Sequence, residues 1–137
     1  MDQKLTMLSK VPLFADLGAR DLAEVARLAD EVDVRAGKVL AKEGAAAHEF
    51  FIILEGTVAI TKGSKHVRDL GPGEFFGELA MIGRVPRTAT ATASTPARLL
   101  VVGHREFTTL LAEEPGIREK VLRAVAHWIA EAAPQTH

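Results

Sequence analysis

The sequence predicts a mainly β fold with flanking helices. Its centre is an antiparallel β-roll, jelly-roll-like in the manner of a double-stranded β-helix, with an N-terminal helical segment before it and two C-terminal helices after it. Apolar residues recur at spacings of three and four before Asp30 and again after Gly103, the period of an amphipathic helix. Between those limits, short β-prone runs alternate with breaks at Gly37, Gly44, Gly56, Gly63, Gly71 and Gly73, the rhythm of a sandwich or barrel. At 137 residues the chain is expected to form one domain over 1–137, large enough to bury a core without disulfides or metal. Its parts are the helical segment 1–29, the roll 30–103 and the helices 104–133.

Taken in order, Leu22, Val25, Ala26 and Leu28 line one side of a helix over Ala19–Ala29, with Arg20, Asp21, Glu24 and Arg27 on the other. The runs EVDV, KVLAK, EFFIIL, TVAIT, HVRDL, TATATA and ARLLVV read as strands. In TATATA, Thr88 to Ala93, hydroxyl and methyl groups alternate, so one face offers only small apolar side chains. EFTTLLAEE then reads as a short helix, and Pro115, whose missing N–H and fixed φ suit a first helical turn, opens another. Glu113 to Gly116 is the break between them. In the last helix Ile117, Val121, Ala124, Val125, Trp128 and Ala132 form an apolar stripe opposite Glu119, Lys120, Arg123, His127 and Glu131.

Composition excludes several functions. With 17 basic and 18 acidic side chains the formal charge is −1, so no overall field draws the chain to nucleic acid or an anionic membrane. The basic residues are scattered and no helix-turn-helix follows the β region, so direct nucleic-acid binding is not expected. Runs such as FFIIL fall well short of the roughly 20 apolar residues of a membrane-spanning helix, and no signal-peptide pattern opens the chain. The absence of cysteine fits a reducing compartment, which makes the cytoplasm the expected location. His48, His66, His104, His127 and His137 share no metal-ligand spacing, so no metal is expected. Nor is there a nucleophile elbow or a histidine in a catalytic setting, so an enzyme is not expected and no catalytic residue is assigned.

The segment GPGEFFGELAMIGRVPRTAT concentrates a different chemistry. Gly71, Gly73 and Gly77 precede a short apolar turn, Leu79 to Ile82, whose unpaired N–H groups would attract an anion. Arg87, set between Pro86 and Thr88, carries a planar fork that meets two anionic oxygens at once. Glu78 cannot serve the same anion, but its carboxylate accepts hydrogen bonds from an adjacent hydroxyl. Together they describe a phosphate beside a sugar hydroxyl. A plainer alternative stands next to this: Glu78 and Arg87 as a surface ion pair, worth about 0 to 1 kcal/mol, and the glycines as turn residues only.

At these residues the chain resembles the cyclic nucleotide-binding domains of kinase regulatory subunits, gated channels and catabolite-activator-type regulators. Phe76 to Thr90 read FGELAMIGRVPRTAT, matching that family's phosphate-binding cassette without insertion. Val11 to Phe14, Ala36–Gly37, Glu55–Gly56 and Leu70 to Gly73 support the match. The resemblance implies a cassette over 76–90 in which Glu78 takes the ribose 2′-hydroxyl and Arg87 the cyclic phosphate. Backbone N–H groups around Leu79, Ala80 and Ala89 would complete the cradle, and Gly77 would allow close approach. It further implies Ile60 and Val67 as apolar walls for the base, and Trp128 either stacked over the base or packed as core. Thr88 leaves cGMP open while cAMP is favoured, and no cofactor other than this ligand is implied.

Arg87 is expected to be under-satisfied until such a ligand binds, and the last helix to move inward with binding. The expected function is therefore a sensor domain acting on a protein effector, either in trans or as an effector domain absent from this sequence. The alternative is a degenerate domain of the same fold that serves as a protein–protein scaffold without nucleotide.

Overall fold

A computed structural model describes residues 3–15, 17–46, 48–77 and 86–132, and at 3, 4, 124, 125 and 127–132 the backbone alone. The helices are α1 (Gln3–Ser9), α2 (Ala19–Leu28), α3 (His104–Glu113) and α4 (Pro115–Ala132), with a 3-10 turn at Pro12–Phe14. The strands are β1 (Asp30–Val34), β2 (Val39–Ala41), β3 (Glu49–Glu55), β4 (Val58–Lys62), β5 (Lys65–Leu70), β6 (Phe75–Phe76), β7 (Thr90–Ala93) and β8 (Ala97–Gly103). They form two antiparallel four-stranded sheets, ordered β1-β8-β3-β6 and β2-β7-β4-β5. The expected β-roll with flanking helices is the observed fold.

Strand β3 shows how the sequence builds it. Successive side chains of a strand point to opposite faces, and EFFIILE is apolar on both. Phe51 and Ile53 enter an inner cluster between the two sheets, with Val58, Ile60, Leu70, Phe76, Ala91, Ala93 and Leu99. Phe50 and Ile52 enter an outer cluster with Leu100 and Val102 of β8 and the apolar faces of the helices: Leu8, Phe14, Leu22, Val25, Phe107, Leu110, Ile117 and Val121. A strand covered on both sides reads as a continuous apolar run, and that is what FFIIL is. Phe50 is fully buried, its ring centroid 4.7 Å from Phe107 and 5.5 Å from Phe75.

The α3–α4 junction is narrower than the expected Glu113–Gly116 break. Glu114 alone closes one helix and opens the next: its N–H donates to the Leu110 carbonyl at 2.9 Å and its carbonyl accepts from the Arg118 N–H at 3.0 Å. Pro115 then occupies the first helical position, as anticipated. Lys120 Nζ donates to the Pro12 carbonyl at 2.9 Å, tying α4 to the 3-10 turn. Arg123 and Glu119 form the expected pair one helical turn apart, at 3.0 Å. Other details differ from the sequence reading, among them the helix expected at EFTTLLAEE, which begins two residues earlier at His104. Helix α1 and the two-residue β6 are additional, and the TATATA strand begins at Thr90 rather than Thr88. Its ladder ends at Thr61 opposite Thr90 on one side and at Ala41 opposite Ala91 on the other.

Candidate functional site

Arg87 is the only buried charged or polar residue among the described residues, with 7% of its surface exposed. Such burial is costly for a guanidinium unless its N–H groups find acceptors. Its Nη2 donates to the Glu49 carbonyl at 2.6 Å, and its Nη1 makes a longer bond, 3.4 Å, to the Gly77 carbonyl. Its Cζ stands 5.8 Å from the centroid of the Phe51 ring, within reach of a cation–π contact. Phe51 in turn stacks on Phe76, centroids 4.8 Å apart and planes 11° from parallel. The expectation of an under-satisfied guanidinium is therefore corrected: backbone carbonyls on either side already orient it.

The approach to Arg87 depends on glycine. Gly77 has φ +96°, in the left-handed region, and a Cβ built there would lie 2.7 Å from Arg87 Nη1 and 3.1 Å from the Glu49 carbonyl oxygen. The two residues are thus fitted to each other: the guanidinium occupies the space that a side chain at 77 would need. The Arg87 backbone is held separately. Its N–H donates to the Ala45 carbonyl and its carbonyl accepts from the Gly44 N–H, both at 2.8 Å.

The other expected site residues fall into three groups. Ile60 is buried in the inner cluster, opposite Ala91 on β7 and Arg68 on β5, and Ala89 packs half-buried against the same cluster. Thr88 is exposed in the bend before β7, and Val67 is 41% exposed on β5, beside the irregularity that shifts the β4–β5 register, so neither joins the inner cluster. Glu78, Leu79 and Ala80 lie outside the described residues, as does the Trp128 side chain, although its backbone belongs to α4. The expected turn Leu79 to Ile82 is outside them too.

Sequence reasoning missed the Glu49 and Gly77 carbonyls and the Phe51 ring. Backbone acceptors leave no mark on residue type, and Phe51 was indistinguishable from its apolar neighbours in FFIIL.

A family model described as "Cyclic nucleotide-binding domain" matches residues 31–114. The chain belongs to the cyclic nucleotide-binding domain family. A cyclic nucleotide-gated potassium channel of Mesorhizobium japonicum is 36% identical to this cyclic nucleotide-binding domain over 113 residues, covering 82% of the chain and 31% of the channel. A cAMP-dependent protein kinase regulatory subunit of Mycosarcoma maydis is 40% identical over 125 residues, covering 82% of the chain and 23% of the subunit. Among solved structures, that of Sp-2Cl-cAMPS bound to PKAR CBD2 superposes with a TM-score of 0.80 at 25% identity, covering 97% of the chain and 94% of the other. The chain thus spans a quarter to a third of the curated relatives' length. Among the described residues, no helix is long and apolar enough to cross a membrane.

Proposed function

We propose that this domain binds a cyclic nucleotide within the β-roll, with Arg87 as the phosphate partner, and that binding repositions the helices after Gly103. The observation that carries the reading is the placement of Arg87: a buried guanidinium, oriented by the Glu49 and Gly77 carbonyls at the wall of the inner cluster. Pre-orientation matters because a planar fork gains bidentate geometry with two phosphate oxygens only when its plane is already set. Glu78 takes the ribose 2′-hydroxyl, and backbone N–H groups at Leu79, Ala80 and Ala89 complete the phosphate cradle. Gly77 keeps the approach open. Ile60 and Val67 flank the base, and the ligand supplies the cover that the exposed Val67 lacks. Thr88, exposed beside the arginine, faces the choice between purines; cAMP is favoured and cGMP is an outcome of the test. Trp128, on the helix that follows the Glu114 junction, closes over the base.

The unit 1–137 serves as a single cytoplasmic sensor domain, and its effector is a protein in trans or a further domain. The channel and kinase regulatory subunit named above are both proteins in which such a module accompanies a longer chain, which supports this reading.

Calorimetric titration of wild type and Arg87→Ala with cAMP and cGMP tests the proposal. Wild type is expected to bind at least one of them. Removing one partner of a buried charge pair should cost Arg87→Ala about 2 to 5 kcal/mol of binding. No binding of either nucleotide at millimolar concentration would instead favour a scaffold without nucleotide, and unchanged affinity in Arg87→Ala would place the phosphate elsewhere.

A further inference from the structure

The loop between β2 and β3 has no part in the cassette, yet its hydrogen bonds reach both sides of the candidate site. Lys42 to Ala45 form a tight turn, closed by the Ala45 N–H on the Lys42 carbonyl at 3.0 Å. Gly44 sits at its third position with φ +84°, which a type II turn requires there. The bonds leaving this turn go in two directions. Toward the phosphate side, Gly44 and Ala45 exchange both backbone bonds with Arg87 at 2.8 Å, and the Glu43 N–H donates to Thr90 Oγ1 at 3.0 Å. Toward the base side, Glu43 Oε1 accepts from the Gly63 N–H at 2.9 Å, in the β4–β5 turn of the hairpin that carries Ile60 and Val67.

No ladder joins β5 to β7 directly; β4 stands between them. The Glu43 turn is therefore a second, independent connection between the tip of the β4–β5 hairpin and the segment that delivers Arg87. A carboxylate accepting a backbone N–H makes one of the stronger neutral–charged hydrogen bonds, and two bonds from one residue, in opposite directions, fix a separation rather than a single position.

We infer that Glu43 is a positioning residue: through the Lys42–Ala45 turn it sets the distance between the base-side hairpin and the guanidinium of Arg87, so that one ligand engages both. The inference rests on the proposed role of Arg87 in phosphate binding. It assigns the loop no contact with ligand. Its effect passes through Arg87 and must vanish when Arg87 no longer makes its bidentate contact.

The test is a double-mutant cycle read by calorimetric titration with cAMP and cGMP, accompanied by thermal unfolding. Glu43→Ala should bind whichever nucleotide wild type binds about fivefold more weakly, the scale of one lost hydrogen bond. Glu43→Gln, which keeps the acceptor, should restore most of the affinity. In an Arg87→Lys background, where the fork is gone, Glu43→Ala should cost less than about twofold. Thr90→Val removes the other anchor without touching the carboxylate and should behave like Glu43→Ala, which keeps the inference testable if one variant folds poorly.

A merely structural role would lower the melting temperature and leave the effects of Glu43→Ala and Arg87→Lys additive. Additivity, or wild-type affinity in both Glu43→Ala and Thr90→Val, overturns the inference while leaving the proposed function intact. A wild-type protein that binds neither nucleotide overturns both.

Discussion

Gly77→Ala tests the geometry of the site with a single methyl group. Two costs can be separated. The first is backbone: at φ +96° a side chain meets the neighbouring carbonyl, a penalty of about 1 to 2 kcal/mol per residue. The second is local crowding. The new Cβ would lie 2.7 Å from Arg87 Nη1, and the guanidinium, as the far end of a flexible side chain, yields first. The Glu49 carbonyl at 3.1 Å must also give way by a few tenths of an ångström. If the guanidinium leaves the carbonyls that orient it, hydrogen bonds to a charged group are lost, at about 1.5 to 3 kcal/mol.

The expected destabilisation of Gly77→Ala is therefore about 2.5 to 5 kcal/mol, measured by urea unfolding with the slope held constant. In an Arg87→Ala background the clash with the guanidinium disappears, leaving the backbone penalty of about 1 to 2 kcal/mol and the small shift of the Glu49 carbonyl. The gap between the two backgrounds isolates the fit of glycine to guanidinium. Equal losses in both, or no loss in either, would refute the packing of Arg87 against Gly77.

Two further predictions concern the scaffold. Phe50→Ala removes a fully buried ring from the outer cluster, where it touches Phe75 and Phe107, and should destabilise by about 3 to 5 kcal/mol in the same unfolding assay. Glu114 titrates above the ordinary carboxylate range, first because burial disfavours its charge and next because Asp21, Glu113 and Glu24 are nearby. The folded state therefore holds this proton more tightly than the unfolded chain. Stability from this group is complete below the unfolded carboxylate range and is lost as pH rises through the raised folded value. Glu114→Gln should accordingly melt higher than wild type at pH 7, with the advantage disappearing in acid below the carboxylate range; an equal advantage at both pH values would contradict this origin.

Periodicity placed the long elements correctly because their burial is one-sided or complete. Leu22 and Val25 are the buried residues of α2, and β7 alternates half-buried threonine with buried alanine as TATATA implied. Short elements escaped for the same reason. Helix α1 has too few residues for a period to emerge, and Phe75–Phe76 is a strand only because β3 lies alongside to pair with it. At the site, Arg87 stood out because arginine between proline and threonine at the start of a strand is an odd choice for core. What holds it did not stand out: Gly44, Ala45, Glu49 and Gly77 contribute main-chain atoms, and main-chain atoms are identical in every residue. The Glu43 carboxylate is exposed and looked like any loop acid.

Strand β3 separates two interiors with the thickness of one backbone. The carbonyl of Glu49 receives the Arg87 guanidinium, and the next residue, Phe50, stands ring to ring with Phe107 of α3. The acceptor of the buried guanidinium and the contact to the helical layer are thus consecutive residues of one strand rather than ends of a long relay. Close-packed interiors have low compressibility and transmit strain, so the Glu49 carbonyl and the Phe50–Phe107 contact offer a short path from the buried guanidinium to α3. A party wall of this kind conducts whatever is pressed against either side of it.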